Sequence, residues 1–497
     1  MATVIQGLVE EALATGTIMN LPDRHFIQGQ WVAAASGRMI EVFDPGSGRT
    51  FARVAAGDAA DVEAAVAAAK AALPGPWRRI TPAERGRLLY RAAALIRQNA
   101  DRLAVVESLD SGKCLREAQG DVAGAARAFE YYAGACDKLQ GDSIPLGPDY
   151  LAYTIKEPVG VTAHIIPWNY PISTTARGVA PALAAGCTVV AKPAEQTPLT
   201  ALMLADILQE AGLPDGVYNV VTGSGPEAGA PLVAHPDVQH VTFTGSVETG
   251  TLVMQAAARN ITRVTLELGG KSPVVVLADC DRDKALEGVL GAIYENAGQI
   301  CSAGSRLVIE RSIHDEFLQS LIRRAERLTL GHGLRNTQVG PVNSLEHLNR
   351  IAGYVDGAKG RGICVATGGA PTTDPQTGLG WFFQPTILDQ VAADDIVAQE
   401  EIFGPVLAVQ VVDSIDEATV IANGTPYGLV AGIYTRDLSK AQRFARDVDA
   451  GQVYINEYFA GGIEVPFGGN KKSGFGREKG LEALRSYCKI KGVAARI

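Results

Sequence analysis

Five runs decide the fold: VTAHIIP (161–167), CTVVAKP (187–193), YNVVTG (218–223), HVTFTG (240–245) and PVVVLAD (273–279). Each is short, rich in β-branched residues and bounded by glycine, proline or polar loops, as strands are. Between them lie Ala-rich, helix-like segments of roughly ten to fifteen residues, and that alternation predicts an α/β fold with a parallel sheet. Ligands of such sheets sit beyond the carboxyl ends of the strands. There the sequence places PWNYP (167–171), KPAE (192–195), TGSG (222–225) and FTGS (243–246), so four polar or glycine-rich loops should converge on one crevice.

Working outward, a second alternating region from about 272 to 455, with SRLVIE (305–310), VLAVQVV (406–412) and LVAGIYT (429–435), predicts another α/β domain. Towards the N-terminus, Asp58 reads as a helix cap ahead of Val62, Val66, Ala69 and Leu73, spaced along one helical face. Thr81-Pro82-Ala83-Glu84 is a capping box with proline at the first helical position, and Leu88, Leu89, Ala92, Leu95 and Ile96 supply the stripe to be buried.

At 497 residues the chain is long enough for two or three domains, and 47% hydrophobic with 20% charged residues is an ordinary globular composition. A net charge of −9 argues against a nucleic-acid footprint, which needs clustered Lys and Arg. The seven cysteines are scattered without CxxC or metal spacing, and the seven histidines form no HExxH pattern. No disulfide framework and no metal site are expected. Glu10 and Glu11 interrupt the start of the chain where a signal peptide would be apolar, and the most apolar stretch, 178–191, contains Pro181 and is too short to cross about 30 Å of hydrocarbon. The expectation is a cytoplasmic protein with no membrane segment.

Gly223-Ser-Gly225-Pro-Glu-Ala228 matches G-x-G-x-x-A after a strand, and Phe243-Thr-Gly245-Ser246 opens a strand-to-helix turn. Glycine admits a phosphate to the backbone, and helix N-termini offer free N–H groups. Each is equally compatible with a plain turn. Lys192 and Glu195 suit ribose hydroxyls, or form a surface ion pair. In Thr265-Leu-Glu267-Leu-Gly-Gly-Lys271 a carboxylate stands among apolar neighbours, where burial would raise its pKa towards that of a useful base. Cys301 follows the loop Asn296-Ala-Gly-Gln-Ile300; alone it reads as an inert core thiol, as most buried cysteines are.

These motifs occur together and in order. PWNYP, KPAEQTP (192–198), FTGS, LELGGK (266–271), GQIC (298–301), EEIFGP (400–405) and PFGGNKKSGFGRE (466–478) resemble signatures of the aldehyde dehydrogenase superfamily, across nearly the whole chain. The resemblance implies a Rossmann-type cofactor domain (1–140 and 158–268), an α/β catalytic domain (269–465) and a small β oligomerisation element (141–157 and 466–497). It implies Cys301 as the nucleophile, Glu267 as the base that activates water, and Asn169 with the Cys301 N–H as the oxyanion site. Cofactor contacts are expected from Ile166, Pro167, Trp168, Lys192, Glu195, Gly225, Phe243, Gly245, Ser246, Gly250, Leu268, Glu401 and Phe403. Glu195 would repel the 2′-phosphate of NADP, so NAD is the expected cofactor. A homo-oligomer, dimer or tetramer, is also implied.

On the substrate side the resemblance points to Tyr170, Arg177, Glu295, Ser302, Tyr458 and Phe459. Arg177 stands where many general members carry tryptophan and the succinic semialdehyde branch carries arginine, which makes a carboxylated semialdehyde one expectation. Glu295 replaces that branch's second arginine, and Gly461 its serine. The alternative is that Glu295 pairs with Arg177 and leaves no anion site.

Overall fold

The computed structural model describes residues 3–497. Its larger sheet has eight strands in the order Gln30–Val32, His25–Ile27, Tyr218–Val220, Thr188–Pro193, Val161–Ile166, Val238–Gly245, Arg263–Leu268, Gly474–Phe475. The strands from Tyr218–Val220 to Arg263–Leu268 run parallel, and antiparallel strands close both edges. Every residue of Thr188–Pro193 is buried, as expected where helices cover both faces of a parallel sheet.

The second sheet has seven strands, ordered Cys364–Thr367, Thr386–Asp389, Val406–Val412, Arg306–Glu310, Pro273–Val276, Val430–Tyr434, Gln452–Ile455, and is parallel except at its first pair. PVVV therefore does not continue the first sheet. It pairs with Arg306–Glu310 and Val430–Tyr434, and the strand that extends the first sheet is Arg263–Leu268, which carries Glu267. Its β-branched run marks PVVV as a strand but cannot say which sheet receives it, and Arg263–Leu268 is not among the expected strands. Val274, Val275 and Val276 are fully buried, each contributing about 1.5–3 kcal/mol relative to exposure.

The helices begin where their caps predict. Asp58 accepts from Ala60 N at 2.9 Å ahead of Ala59–Ala72, and Thr81 and Glu84 exchange bonds of 3.3 and 2.7 Å ahead of Pro82–Gln98. Tyr150–Pro158 and Cys488–Arg496 form a two-stranded antiparallel ribbon. The segment 466–497 is thus divided. Its first part joins the sheet edge beside Glu267, because Gly474 can pair at φ +110° where a Cβ would strike Leu266 O at 2.0 Å; only its second part enters the ribbon.

Candidate active site

Register brings the predicted loops together. Ile165 is opposite Lys192 and Phe243, Ile166 opposite Pro193, and Leu268 opposite Gly245. All lie at the carboxyl ends of the parallel strands. Tyr170 then caps the helix Pro171–Ala185, whose first residue is proline, so the chain turns sharply after Asn169.

The loop before Cys301 is held in an unusual shape. Asn296, Ala297 and Gly298 all have positive φ (46°, 53° and 73°), which costs roughly 1–2 kcal/mol at each non-glycine position. Side-chain bonds fix it: Asn296 Nδ2 donates to Asn169 O (3.1 Å), Gln299 Nε2 to Asn296 O (3.0 Å), and Asn343 N to Gln299 Oε1 (2.8 Å). Asn169, 6% exposed, donates one Nδ2 hydrogen to Gln299 O at 2.9 Å. Its second amide hydrogen remains available. Burial pushes the Cys301 thiol up to about 12, opposed mainly by the Arg177 guanidinium.

Glu267 is 2% exposed, and both its carboxylate oxygens are buried without a hydrogen-bond partner. Burial, then the charge of Glu478, raises its pKa well above the usual range, while Arg177 and Arg477 pull it down. Three residues along the chain, a Cβ on Gly270 would stand 2.7 Å from Cys301 O.

Among the residues expected to contact cofactor, Lys192 is buried and its Nζ donates to Glu195 Oε2 at 3.1 Å, while Glu195 is 37% exposed towards solvent. Burial lowers the Lys192 pKa, and Glu195 counteracts it. Ser246 caps the helix Val247–Ala258 by accepting from Thr249 N at 3.1 Å. Gly250 packs that helix on Leu268, where a Cβ would meet Cδ2 at 2.6 Å. Gly225 leaves open space around its Cβ position, so the conformational demand of the G-x-G-x-x-A turn falls on Gly223, at φ +156° against Ala228 and Gly57. Glu401 accepts from Gly270 N at 2.9 Å, and burial raises its pKa to about 7. Phe403, at φ +63°, packs edge-on to Trp168 with centroids 5.3 Å apart.

The substrate candidates divide. Tyr458 packs on Phe459 (4.9 Å) and its hydroxyl donates to Ser302 O at 2.9 Å. Tyr170 carries Lys113 Nζ 4.0 Å above its ring. The Arg177–Glu295 pair does not form. Arg177 Nη2 instead lies 2.6 Å from Glu478 Oε2, with the two side chains 17% and 3% exposed. Glu295 is raised by burial and by Asp121, with Lys113 and Arg116 opposing, and it borders a cavity of about 730 Å³ shared with Glu117 and Asp121.

The aldehyde dehydrogenase family profile matches residues 31–493. The chain belongs to the aldehyde dehydrogenase family. A hydroxyisobutyraldehyde dehydrogenase of Mycolicibacterium austroafricanum is 43% identical over 473 residues, 95% of this chain and 93% of that protein. A betaine aldehyde dehydrogenase of Staphylococcus aureus, solved in complex with NAD+, superposes with a TM-score of 0.96 at 38% identity, covering 98% of this chain and 97% of that one. A putative aldehyde dehydrogenase of Burkholderia cenocepacia gives 0.93 at 46% identity, covering 95% and 99%.

The protein is an aldehyde dehydrogenase. Within this aldehyde dehydrogenase several site residues had no signal of their own in the sequence. His347 contacts Trp168 and Phe403, with Nε2 2.7 Å from Phe403 O; burial lowers its pKa to about 4, so the ring is neutral and Nε2–H is the donor. Glu478, Phe467 and Gly468 lie within PFGGNKKSGFGRE, a motif whose individual roles only the packing separates. Among the described residues no group of His, Cys, Asp and Glu is placed to hold a metal ion, and no helix is long and apolar enough to cross a membrane.

Proposed function

We propose that the enzyme oxidises an aldehyde to a carboxylic acid through a thioester on Cys301 that Glu267-activated water hydrolyses. The observation that carries this is Glu267 itself, a buried carboxylate with two uncommitted oxygens whose charge bears on the Cys301 sulfur. Structural carboxylates at such depth are paired; a base is left free. Cys301 sulfur attacks the aldehyde carbon as its proton leaves for a base, and the developing oxyanion lies against the free Asn169 Nδ2–H and the Cys301 N–H. After oxidation the acyl carbon is held on Cys301. Glu267 takes a proton from water, whose oxygen attacks that carbon and releases the acid and the thiol.

The cofactor residues fit a dinucleotide. The capped helix start at Ser246 faces the crevice, Gly225 leaves backbone open, and one Glu401 oxygen remains beyond the Gly270 bond. Glu195 and Lys192 would hold the adenosine ribose, with Pro167, Trp168 and Phe403 lining the crevice. Bound there, NAD supplies the two-electron acceptor. NAD is favoured because Glu195 would repel a 2′-phosphate.

Two substrate readings have an observation each. The Nε–H of Arg177, buried without a partner, supports a carboxylated semialdehyde; the Nη2–Glu478 ion pair supports a neutral aldehyde, since a substrate carboxylate would compete with Glu478. NADH formation across neutral, aromatic and carboxylated aldehydes, with and without coenzyme A, tests the whole reading. Coenzyme-A-dependent turnover would replace hydrolysis by acyl transfer.

We further infer a cofactor unit from 1–140 and 158–268 and a catalytic unit from 269–465. Within 141–157 and 466–497, contact between copies is assigned to the ribbon Tyr150–Pro158 and Cys488–Arg496, which exposes Leu151, Tyr153, Ile155 and Ile490. A homo-oligomer follows. The seven unpaired cysteines accord with a reducing, cytoplasmic setting.

A further inference from the structure

We propose that Arg177 is a positioning residue for Glu267: it clamps Glu478, and through it the Phe467–Gly468 wall against which the base rests. The proposal rests on the roles of Cys301 and Glu267 given above. Arg177 projects from the helix Pro171–Ala185, with Nη2 2.6 Å from Glu478 Oε2 and the guanidinium 5.0 Å over the Phe467 ring. Lys479 Nζ lies 5.2 Å from the same ring. Phe467 and Glu478 exchange both backbone hydrogen bonds, at 2.7 and 2.8 Å. The next residue, Gly468, is so close to Glu267 that its Cβ would stand 2.6 Å from Oε1. Contact therefore runs from the helix through Glu478 and Phe467 to the base. Arg477 stiffens the same segment from within, donating to Gly469 O (2.9 Å) and Asn470 Oδ1 (2.9 Å).

Charge makes the clamp matter. Glu478 is a buried anion whose field opposes ionisation of Glu267, and Arg177 is the foremost cation offsetting it, ahead of Arg477. The other charged groups bearing on Glu267 and Cys301 are Lys479 and Glu401. Without Arg177, Glu478 would be free to turn, and its charge would be uncompensated.

The test compares Arg177→Met, Arg177→Lys, Glu478→Gln and the double variant Arg177→Met/Glu478→Gln in the full-length enzyme, with a neutral and a carboxylated aldehyde of similar length. Single-turnover thioester hydrolysis is followed against pH. Arg177→Met is expected to slow hydrolysis about tenfold or more for both aldehydes, with KM changed less than about twofold. Its acid limb should move up by about one pH unit, and Glu478→Gln should move the limb down in both backgrounds. Arg177→Lys should recover the limb better than the rate, because it keeps the charge but not the fork. A KM increase of about tenfold confined to the carboxylated aldehyde, with the limb unmoved, would overturn the proposal in favour of substrate anchoring. So would an unchanged hydrolysis rate. Should Arg177→Met not fold, Glu478→Gln decides alone, and an unmoved limb defeats the idea. Turnover surviving Cys301→Ala would instead defeat the underlying reading, so the two failures are distinguishable.

Discussion

Gly468 and Glu267 are in such close contact that a methyl group on the glycine would stand 2.6 Å from Oε1 of the carboxylate, at a backbone φ of +154°. Gly468→Ala therefore has to move the base or the strand beneath it. The expected outcome is a loss of about 1–3 kcal/mol in stability together with a fall in kcat of about tenfold to a hundredfold. Chemical denaturation and steady-state kinetics on one preparation check both; full activity in a stably folded variant would mean that Glu267 does not work from this position.

On the roles proposed above, Glu267→Gln removes the base while leaving the nucleophile. Mixing enzyme, NAD and aldehyde should still give a stoichiometric burst of NADH, followed by turnover slower by about 10²–10⁴. Loss of the burst itself would show that Glu267 also takes the thiol proton.

The raised pKa of Glu267 has a definite sign. Its charged form accumulates only as pH climbs past the ordinary carboxylate value of 4.5, so thioester hydrolysis should rise with pH into the neutral range. A protonated carboxyl in the folded protein that ionises freely when unfolded costs stability as pH rises between the two values. Relative to Glu267→Gln, the wild type should lose up to about 1.4 kcal/mol per pH unit across that window. A hydrolysis rate flat from pH 5 to pH 9, which spans about four units of base titration, would contradict the assignment.

Asn169→Ala should lower kcat by about 10²–10³, the usual consequence of deleting one oxyanion donor. The same change frees the Gln299 carbonyl that Asn169 binds at 2.9 Å. Asn169→Asp, which keeps the size but loses the donor, separates the two effects: it should be at least as slow as the alanine variant.

Cofactor choice is checked at Glu195. The wild type should show a lower KM for NAD than for NADP, and Glu195→Gln should narrow the gap by lowering the KM for NADP. An NADP preference in the wild type would remove Glu195 from the ribose site.

Local chemistry made part of this architecture legible. The caps at Asp58 and Thr81 depend on neighbours within a few residues, and both form. Strand runs such as CTVVAKP were readable because a doubly covered strand must be apolar on both faces. Pairing between distant segments was not: nothing in PVVV says that it joins Arg306–Glu310, and nothing around Arg177 names Glu478, hundreds of residues away, as its counter-ion. The resemblance offered Glu295 for that place because it stands where the semialdehyde branch carries its second arginine. In space Glu295 is grouped with Glu117 and Asp121 instead.

The strand Gly474–Phe475, which pairs with Leu266 and Glu267, has a temporal side. A ribosome delivers Cys301 long before it delivers this strand, and a chain ending between them would have a thiol but no finished wall around its base. Competence thus waits for one late step of synthesis, the pairing of Gly474–Phe475 beside Glu267.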